Sequence, residues 1–151
     1  MSAGSTESAP RIVVGVDGSP SSRAALRWAV RQATLTGGMA DVIIAWRVPP
    51  QMQSYNAWAP LYLEESGDLE DAAKKTVEAV INAEVEPADL HVVRSMVVHG
   101  HPAQALLDAA IGADLLVVGS RGHGAFAEAL LGSVGQYCVH HAHCPVPIMR
   151  D

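Results

Sequence analysis

The chain has 151 residues, enough for one domain with a buried core and too few for two of ordinary size. Apolar residues make up 49% and charged residues 17%, which excludes an intrinsically disordered chain. A net charge of -6 with only 10 Lys and Arg offers no basic patch to a polyanion, so nucleic acid is not an expected partner.

Residues 1–10 (MSAGSTESAP) lack the basic start and apolar stretch of a signal peptide, and read as a disordered lead-in to one domain over 11–151. No apolar run approaches the roughly 20 residues that span a bilayer, so no membrane partner is expected. Cys138 and Cys144 are too few for a disulfide framework and suit a reducing compartment. A cytoplasmic protein is the expectation.

Residues 11–16 (RIVVGV) form a β-branched run without alternation, which predicts a strand covered on both faces. Asp17-Gly18 turns the chain, Ser19 is a good N-cap and Pro20 suits a first helical position. The helix so predicted turns Leu26, Ala29, Val30 and Ala33 inward and ends at Gly37-Gly38. Residues 41–48 (DVIIAWRV) read as the second strand.

Residues 48–66, rich in Pro, Gln and aromatics, read as a long loop of the kind that forms a lid or binding surface. Its Tyr55, Trp58 and Tyr62 read as a packed flap in preference to an adenine clamp. A helix over 68–84 carries Leu69, Ala73, Val77, Val80 and Ile81 on one stripe, and Pro87 stops it. Residues 90–98 (LHVVRSMVV) alternate partially, which predicts an edge strand.

Gly100 and Pro102 introduce a helix with Ala103, Leu106, Leu107 and Ala110 at one face, ended by Gly112. The fourth strand is 114–118 (DLLVV), and a helix follows from Ser133 to about His141. Pro145 and Pro147 confine the last extended piece, PVPIMR, to a sheet edge.

Strands alternating with helices predict an α/β fold: a parallel sheet with helices on both faces, joined by right-handed crossovers. Ligands in such sheets sit beyond the carboxyl ends of the strands, where strand order reverses. If the first and fourth strands are neighbours, in order 3-2-1-4-5, the turns GVDGS and GSRGHG meet across one crevice.

Gly119, Gly122, Gly132 and Ser133 follow the spacing G-x2-G-x9-G-[ST] between a strand and a helix. Residues without Cβ let backbone N–H groups converge, and a helix N-terminus adds its unpaired donors, so a phosphate is the expected guest. A Walker loop is excluded because no Lys follows the glycines. Gly122-x-Gly124-x-x-Ala127 matches a dinucleotide fingerprint by letter but lacks its acidic partner about 20 residues on.

Ser133 with Gln136 also reads as a capping box, a role compatible with a phosphate contact. Asp17 reads either as a turn residue or as a contact to a sugar hydroxyl or Mg2+. The cluster Cys138, His140, His141, His143 and Cys144 has no recognised zinc spacing, and Cys138 falls on the core face of its helix. His99-Gly100-His101 lacks the Ile of an adenylyl-transfer HIGH signature and follows the third strand, not the first.

With RIVVGVDGS, DLLVVGSRGHG and CPVPIMR in this order, residues 11–150 resemble the ATP-binding branch of the universal stress protein family. The resemblance implies a three-layer α/β sandwich with a five-stranded parallel sheet, order 3-2-1-4-5, of the Rossmann-like adenine nucleotide alpha hydrolase-like fold. It also implies ATP with Mg2+ in the crevice and a homodimer paired through the last strands. Carried onto this sequence, Asp17 reaches the adenosine or ribose with Gly15 and Val16 beside it, while Ala45 and Val98 to Gly100 line the adenine. Gly119, Gly122, Gly132 and Ser133 hold ribose and phosphates, with Arg121, His123 and Val134 adjoining. His123-Gly124 departs from the family loop and adds a pH-sensitive donor.

The function so implied is a nucleotide-dependent regulatory or signalling module in the stress response, acting on an unidentified protein partner. A slow ATPase or nucleotidyl transferase using His123 and Arg121, a cyclic AMP binder and a nucleotide-free dimeric interaction protein are the alternatives.

Overall fold

The apolar runs pair as parallel strands: β1 (Arg11–Gly15), β2 (Met39–Trp46), β3 (Val93–His99), β4 (Leu115–Gly119) and β5 (Ile148–Met149). Their order is β3-β2-β1-β4-β5, as the sequence predicts. The computed structural model describes residues 8–48, 59–121 and 131–151, and only the backbone of 59–66. Among the described residues, four α-helices connect the strands: α1 (Pro20–Thr36), α2 (Ala59–Glu84), α3 (Pro102–Ala109) and α4 (Ser133–His141).

Strand pleating sorts the core into two layers. Ile12, Val14, Val16, Ala40, Val42 and Ile44 pack with Leu26, Ala29 and Val30 of α1 and Val77 and Val80 of α2. Val13, Ile43, Leu116 and Val118 turn the other way, onto Leu106 and Ala110 of α3 and Cys138 of α4. Both faces are therefore covered, which is why β1 and β4 show no polar alternation. Full burial of side chains such as Leu26 or Ile12 contributes about 1.5–3 kcal/mol each.

Local signals in α1 act as read. Ser19 Oγ accepts from the Ser22 N–H at 3.4 Å, Pro20 is the first helical residue, and Gly37 closes the helix at φ 71°. That left-handed angle is strained for any residue with a Cβ.

Three elements differ from the sequence reading. α2 begins at Ala59, inside the expected loop; Pro60 is its second residue, where a missing N–H breaks no helical bond. Residues 49–58, with Tyr55 and Trp58, lie outside the described residues, as do the side chain of Tyr62 and residues 1–7 of the lead-in. Leu90 to Val92 belong to a 3-10 turn, Pro87–Val92, and not to the third strand. Pro87 opens that turn, and the burial of Val92 explains the strand-like pattern. β5 is only two residues long: Pro145 and Pro147 accept from Leu116 and Val118 at 3.0 and 3.1 Å but have no N–H to return. β3 is the expected edge, with Arg94, Ser95 and Met96 exposed.

At the amino ends of the strands a charged cluster is closed upon itself. Asp41, buried in β2, accepts from Arg94 Nε at 2.8 Å and Arg11 Nη1 at 3.3 Å. Arg11 also donates to the carbonyls of Ala109 and Ile111 after α3, and its N–H donates to Asp114 at 2.8 Å. Among the described residues no helix is long and apolar enough to cross a membrane.

Candidate functional site

The carboxyl ends of β1 and β4 lie side by side, so the two turns meet as the strand order requires. After β1, the Asp17 carboxylate accepts from the Ser19 N–H at 2.9 Å, and Gly18 takes φ 85°. This is an Asx turn that delivers the chain to the N-cap of α1. The Asp17 N–H in turn donates to Ser22 Oγ at 3.3 Å. The turn reading of Asp17 is thus met, and the residue lies just beyond the carboxyl end of β1.

After β4, Arg121 is gripped through its backbone. Its carbonyl accepts from Ser19 Oγ at 3.2 Å and from Ser21 Oγ, and its N–H donates to Ser21 Oγ at 3.2 Å. Ser19 and Ser21 are 6% and 2% exposed, so these bonds are shielded from competing water. Gly119 makes the approach feasible: a Cβ there would lie 2.5 Å from Ser21 Oγ and 2.7 Å from the Ser21 carbonyl carbon and the Ser22 nitrogen. Its first role is close packing of β4 on α1. Gly15 is less constrained: a Cβ would lie 2.6 Å from Leu106 Cδ1, the end of a side chain that can turn aside.

The segment between β4 and α4 starts and ends on Ser120. The Ser120 carbonyl accepts from the Gly132 N–H at 2.6 Å, and the Ser120 N–H donates to the Met149 carbonyl at 2.7 Å. Gly122 and His123, within that segment, lie outside the described residues. Gly132 is the N-cap of α4 and supplies no side-chain hydrogen bond. Ser133 is therefore the first helical residue, and the expected capping box is not formed; the Gln136 amide instead reaches the Leu131 carbonyl at 3.4 Å. The first-turn N–H groups have no partner within their own helix, and the uncapped end carries partial positive charge.

On the β2 and β3 side, Ala45 stands opposite Val98 on the α3/α4 face of the sheet. Gly15 lies beside Ile43 of β2 on that same face. The Val16 side chain is buried on the opposite face, which leaves only its backbone at this end. Gly100, at φ 147°, donates its N–H to the Trp46 carbonyl at 2.9 Å and turns the chain towards α3. His101 is the N-cap of α3, Nδ1 accepting from the Ala103 N–H at 3.2 Å, and His99 stacks on Trp46 at 4.4 Å between centroids. Val134 packs against the α3/α4-side core and offers its N–H, not its side chain.

The described candidates Gly15, Val16, Asp17, Ala45, Val98, Gly100, Gly119, Arg121, Gly132, Ser133 and Val134 thus gather at one end of the sheet. Sequence reasoning missed the hydroxyls of Ser19 and Ser21 as holders of Arg121; the serine-rich run after Gly18 was the available signal. It also missed Asp151, whose Oδ1 accepts from Arg121 Nη2 at 3.1 Å. That hydrogen bond holds the Asp151 carboxyl below the usual carboxylate range.

Among the described residues, no group of three or more His, Cys, Asp or Glu is arranged to hold a metal. Burial pushes the Cys138 thiol up to about 11, which keeps it protonated and inert in the core. What this end of the sheet can do is bind: backbone donors and small residues serve an anion, and an apolar Ala45–Val98 wall serves a planar ring.

The family model described as Universal stress protein family matches residues 9–150. Universal stress protein Rv2623 of Mycobacterium tuberculosis (strain ATCC 25618 / H37Rv) is 34% identical over 147 residues, covering 93% of this chain and 47% of its own length. The chain spans about half the length of such curated relatives. Among solved structures, hypothetical protein MJ0577 matches with a TM-score of 0.77 at 21% identity, covering 95% of this chain and 96% of that one. A universal stress protein in complex with cAMP matches with a TM-score of 0.61 at 27% identity, covering 93% and 95% respectively.

Proposed function

As the chain belongs to the universal stress protein family, we propose that it binds ATP with Mg2+ at the carboxyl ends of its strands. In this reading it is a nucleotide-dependent regulatory module of the cytoplasm, working as a homodimer through β5 with a protein partner. The observation that carries the reading is the uncapped N-terminus of α4, next to the junction where Ser19 and Ser21 fasten Arg121. An anion fits there because the N-cap, Gly132, has no side chain to satisfy the first-turn donors.

Each candidate residue then has a role. Ala45 and Val98 flank the adenine, with Gly100 turning the chain beside it. Asp17, with Gly15 and the Val16 backbone alongside, accepts from a sugar hydroxyl or holds Mg2+. Gly119 and Arg121 set the position of the phosphate loop, in which Gly122 and His123 complete the cradle. Gly132, Ser133 and Val134 present backbone donors, and Ser133 adds its hydroxyl.

The test is calorimetric titration of ATP with Mg2+ into nucleotide-stripped protein, beside Ser133→Pro. Proline is well tolerated at the first helical position, and Gly132 already has the extended conformation required before it, at φ -69° and ψ 167°. The variant therefore deletes the Ser133 N–H and hydroxyl while keeping the helix. The parent is expected to bind near micromolar, about -8 kcal/mol. Ser133→Pro should weaken binding about tenfold or more, the loss of at least one charge-assisted hydrogen bond. No binding by the parent up to about a millimolar, a free energy near -4 kcal/mol, would overturn the reading. A monomer in sedimentation at micromolar concentration would overturn the dimer.

Cyclic AMP is the second reading, favoured by the related structure in complex with cAMP. It shares adenosine and one phosphate with ATP, so it should displace ATP competitively; additive heats would separate the two.

A further inference from the structure

We infer that Asp151 sets the charge selectivity of the crevice by holding the Arg121 guanidinium until a ligand phosphate takes it. The inference rests on the nucleotide reading above and concerns a residue that reading does not use.

Strand register creates the pair. β5 runs parallel to β4, with Val118 opposite Ile148 and Gly119 opposite Met149. Two residues further along each strand, the same register brings Arg121 alongside Asp151, with Nη2 donating to Oδ1 at 3.1 Å. The Arg121 side chain is thereby drawn towards the β5 edge, while its backbone stays fastened to the first turn of α1 through Ser19 and Ser21. One residue links the wall of the crevice to the edge of the sheet.

The energetics favour exchange over permanence. The side chains of Arg121 and Asp151 are 36% and 38% exposed, so their ion pair is screened and weak. A phosphate offers the planar guanidinium several charged acceptors in a fork-matching geometry, which a carboxylate at the rim cannot hold against a polyphosphate. Adenosine has no such group and cannot draw Arg121 away. The Asp151 carboxyl, kept below its usual range first by the Arg121 hydrogen bond, is ionised at neutral pH and is thus a charged competitor. Removing its charge should benefit ligands in proportion to their contact with Arg121, and leave uncharged nucleoside unaffected.

The experiment titrates ATP with Mg2+, and separately adenosine, into four proteins: the parent, Asp151→Asn, Arg121→Gln and the double variant. Asp151→Asn is expected to tighten ATP about two- to fivefold and to leave adenosine within about 1.5-fold, the scale of one exposed ion pair. Arg121→Gln should weaken ATP, and the gain from Asp151→Asn should vanish in its background. Equal ATP affinity in parent and Asp151→Asn, or a gain that extends to adenosine or survives without Arg121, overturns the inference and leaves the nucleotide reading standing. Failure of both ligands to bind any of the four proteins removes the nucleotide reading and the inference with it. Carbon NMR of the Asp151 carboxyl in the unmodified parent provides a check that needs no variant. Its titration midpoint should rise towards the ordinary aspartate value on saturation with ATP, and an unmoved midpoint overturns the exchange.

Discussion

The two ends of this sheet carry polar residues for opposite purposes. At the amino ends of the strands, Arg11 and Arg94 pair with Asp41, Arg11 also reaches the carbonyls of Ala109 and Ile111, and Asp114 accepts from the Arg11 N–H. At the carboxyl ends, hydroxyls and backbone groups shape a junction around Arg121, and the N-cap of α4 is Gly132, which has no side chain to cap it. The difference follows from parallel topology. β1, β3 and β4 each feed a helix at their carboxyl ends, so α1, α3 and α4 begin there with their positive ends, and α3 terminates at the other end, where Arg11 donates to the Ala109 carbonyl. One end is held by charge pairing, and the other by hydroxyl and backbone hydrogen bonds.

The sharpest way to break the comparison is to damage each end separately. Asp41→Ala takes a buried carboxylate from the half-buried Arg11 and the exposed Arg94, and should cost about 3 kcal/mol by urea unfolding, the scale of two hydrogen bonds to a charged acceptor. ATP affinity should stay within about twofold, because Asp41 lies at the far end of β2. Gly119→Ala forces β4 away from Ser21 and Ser22, an overpacking cost of about 1–3 kcal/mol. This smaller stability loss should come with a clear fall in ATP affinity, as the Ser21–Arg121 bonds are strained. Should Asp41→Ala weaken ATP as much as Gly119→Ala does, the two ends are not separable.

The smallest expected effect serves as a control away from both ends. Glu84 of α2 accepts from Arg27 and Arg23 of α1, and the Arg27 hydrogen bond chiefly lowers its carboxyl pKa. With the folded value below the unfolded one, the stabilisation is present above the ordinary carboxylate pKa of about 4.3 and lost as pH falls through the folded value. Glu84→Gln should therefore cost under about 1 kcal/mol at pH 7, and parent and variant should converge once the pH has fallen below the lowered folded pKa of Glu84 in melting experiments. A difference that persists at low pH would show that packing, not charge, holds these helices together.

Much of the fold was legible because its signals are local. Ser19-Pro20 started α1 and Gly37 ended it, and the β-branched runs marked β1, β2 and β4 to within a residue or two at their ends. The start of α2 was not legible, since Pro60 in an aromatic and Gln-rich stretch looks like a breaker unless it occupies the first turn of a helix. The 3-10 turn over Pro87–Val92 hid behind Val92, whose burial comes from the core it reaches and not from strand geometry. At the candidate site, the positions were legible but several roles were not. Gly119 looked like a loop glycine and serves first as a contact surface for Ser21. Ser133 looked like an N-cap and is a first-turn residue behind Gly132.

By itself the sequence determined the alternation of strands and helices, the glycine-rich turns that end β1 and β4, and the apolar positions that fill both layers. These depend on periodicity, capping and turn chemistry, which act over a few residues. Only the tertiary structure decided that Ser21 grips Arg121 across 100 residues of chain and that Arg121 faces Asp151 across the β4–β5 register. It alone decided, too, that Asp41 finds its two arginines from β1 and β3. Such contacts arise from strand order and register, and no local pattern encodes which distant side chain will be brought within hydrogen-bonding reach.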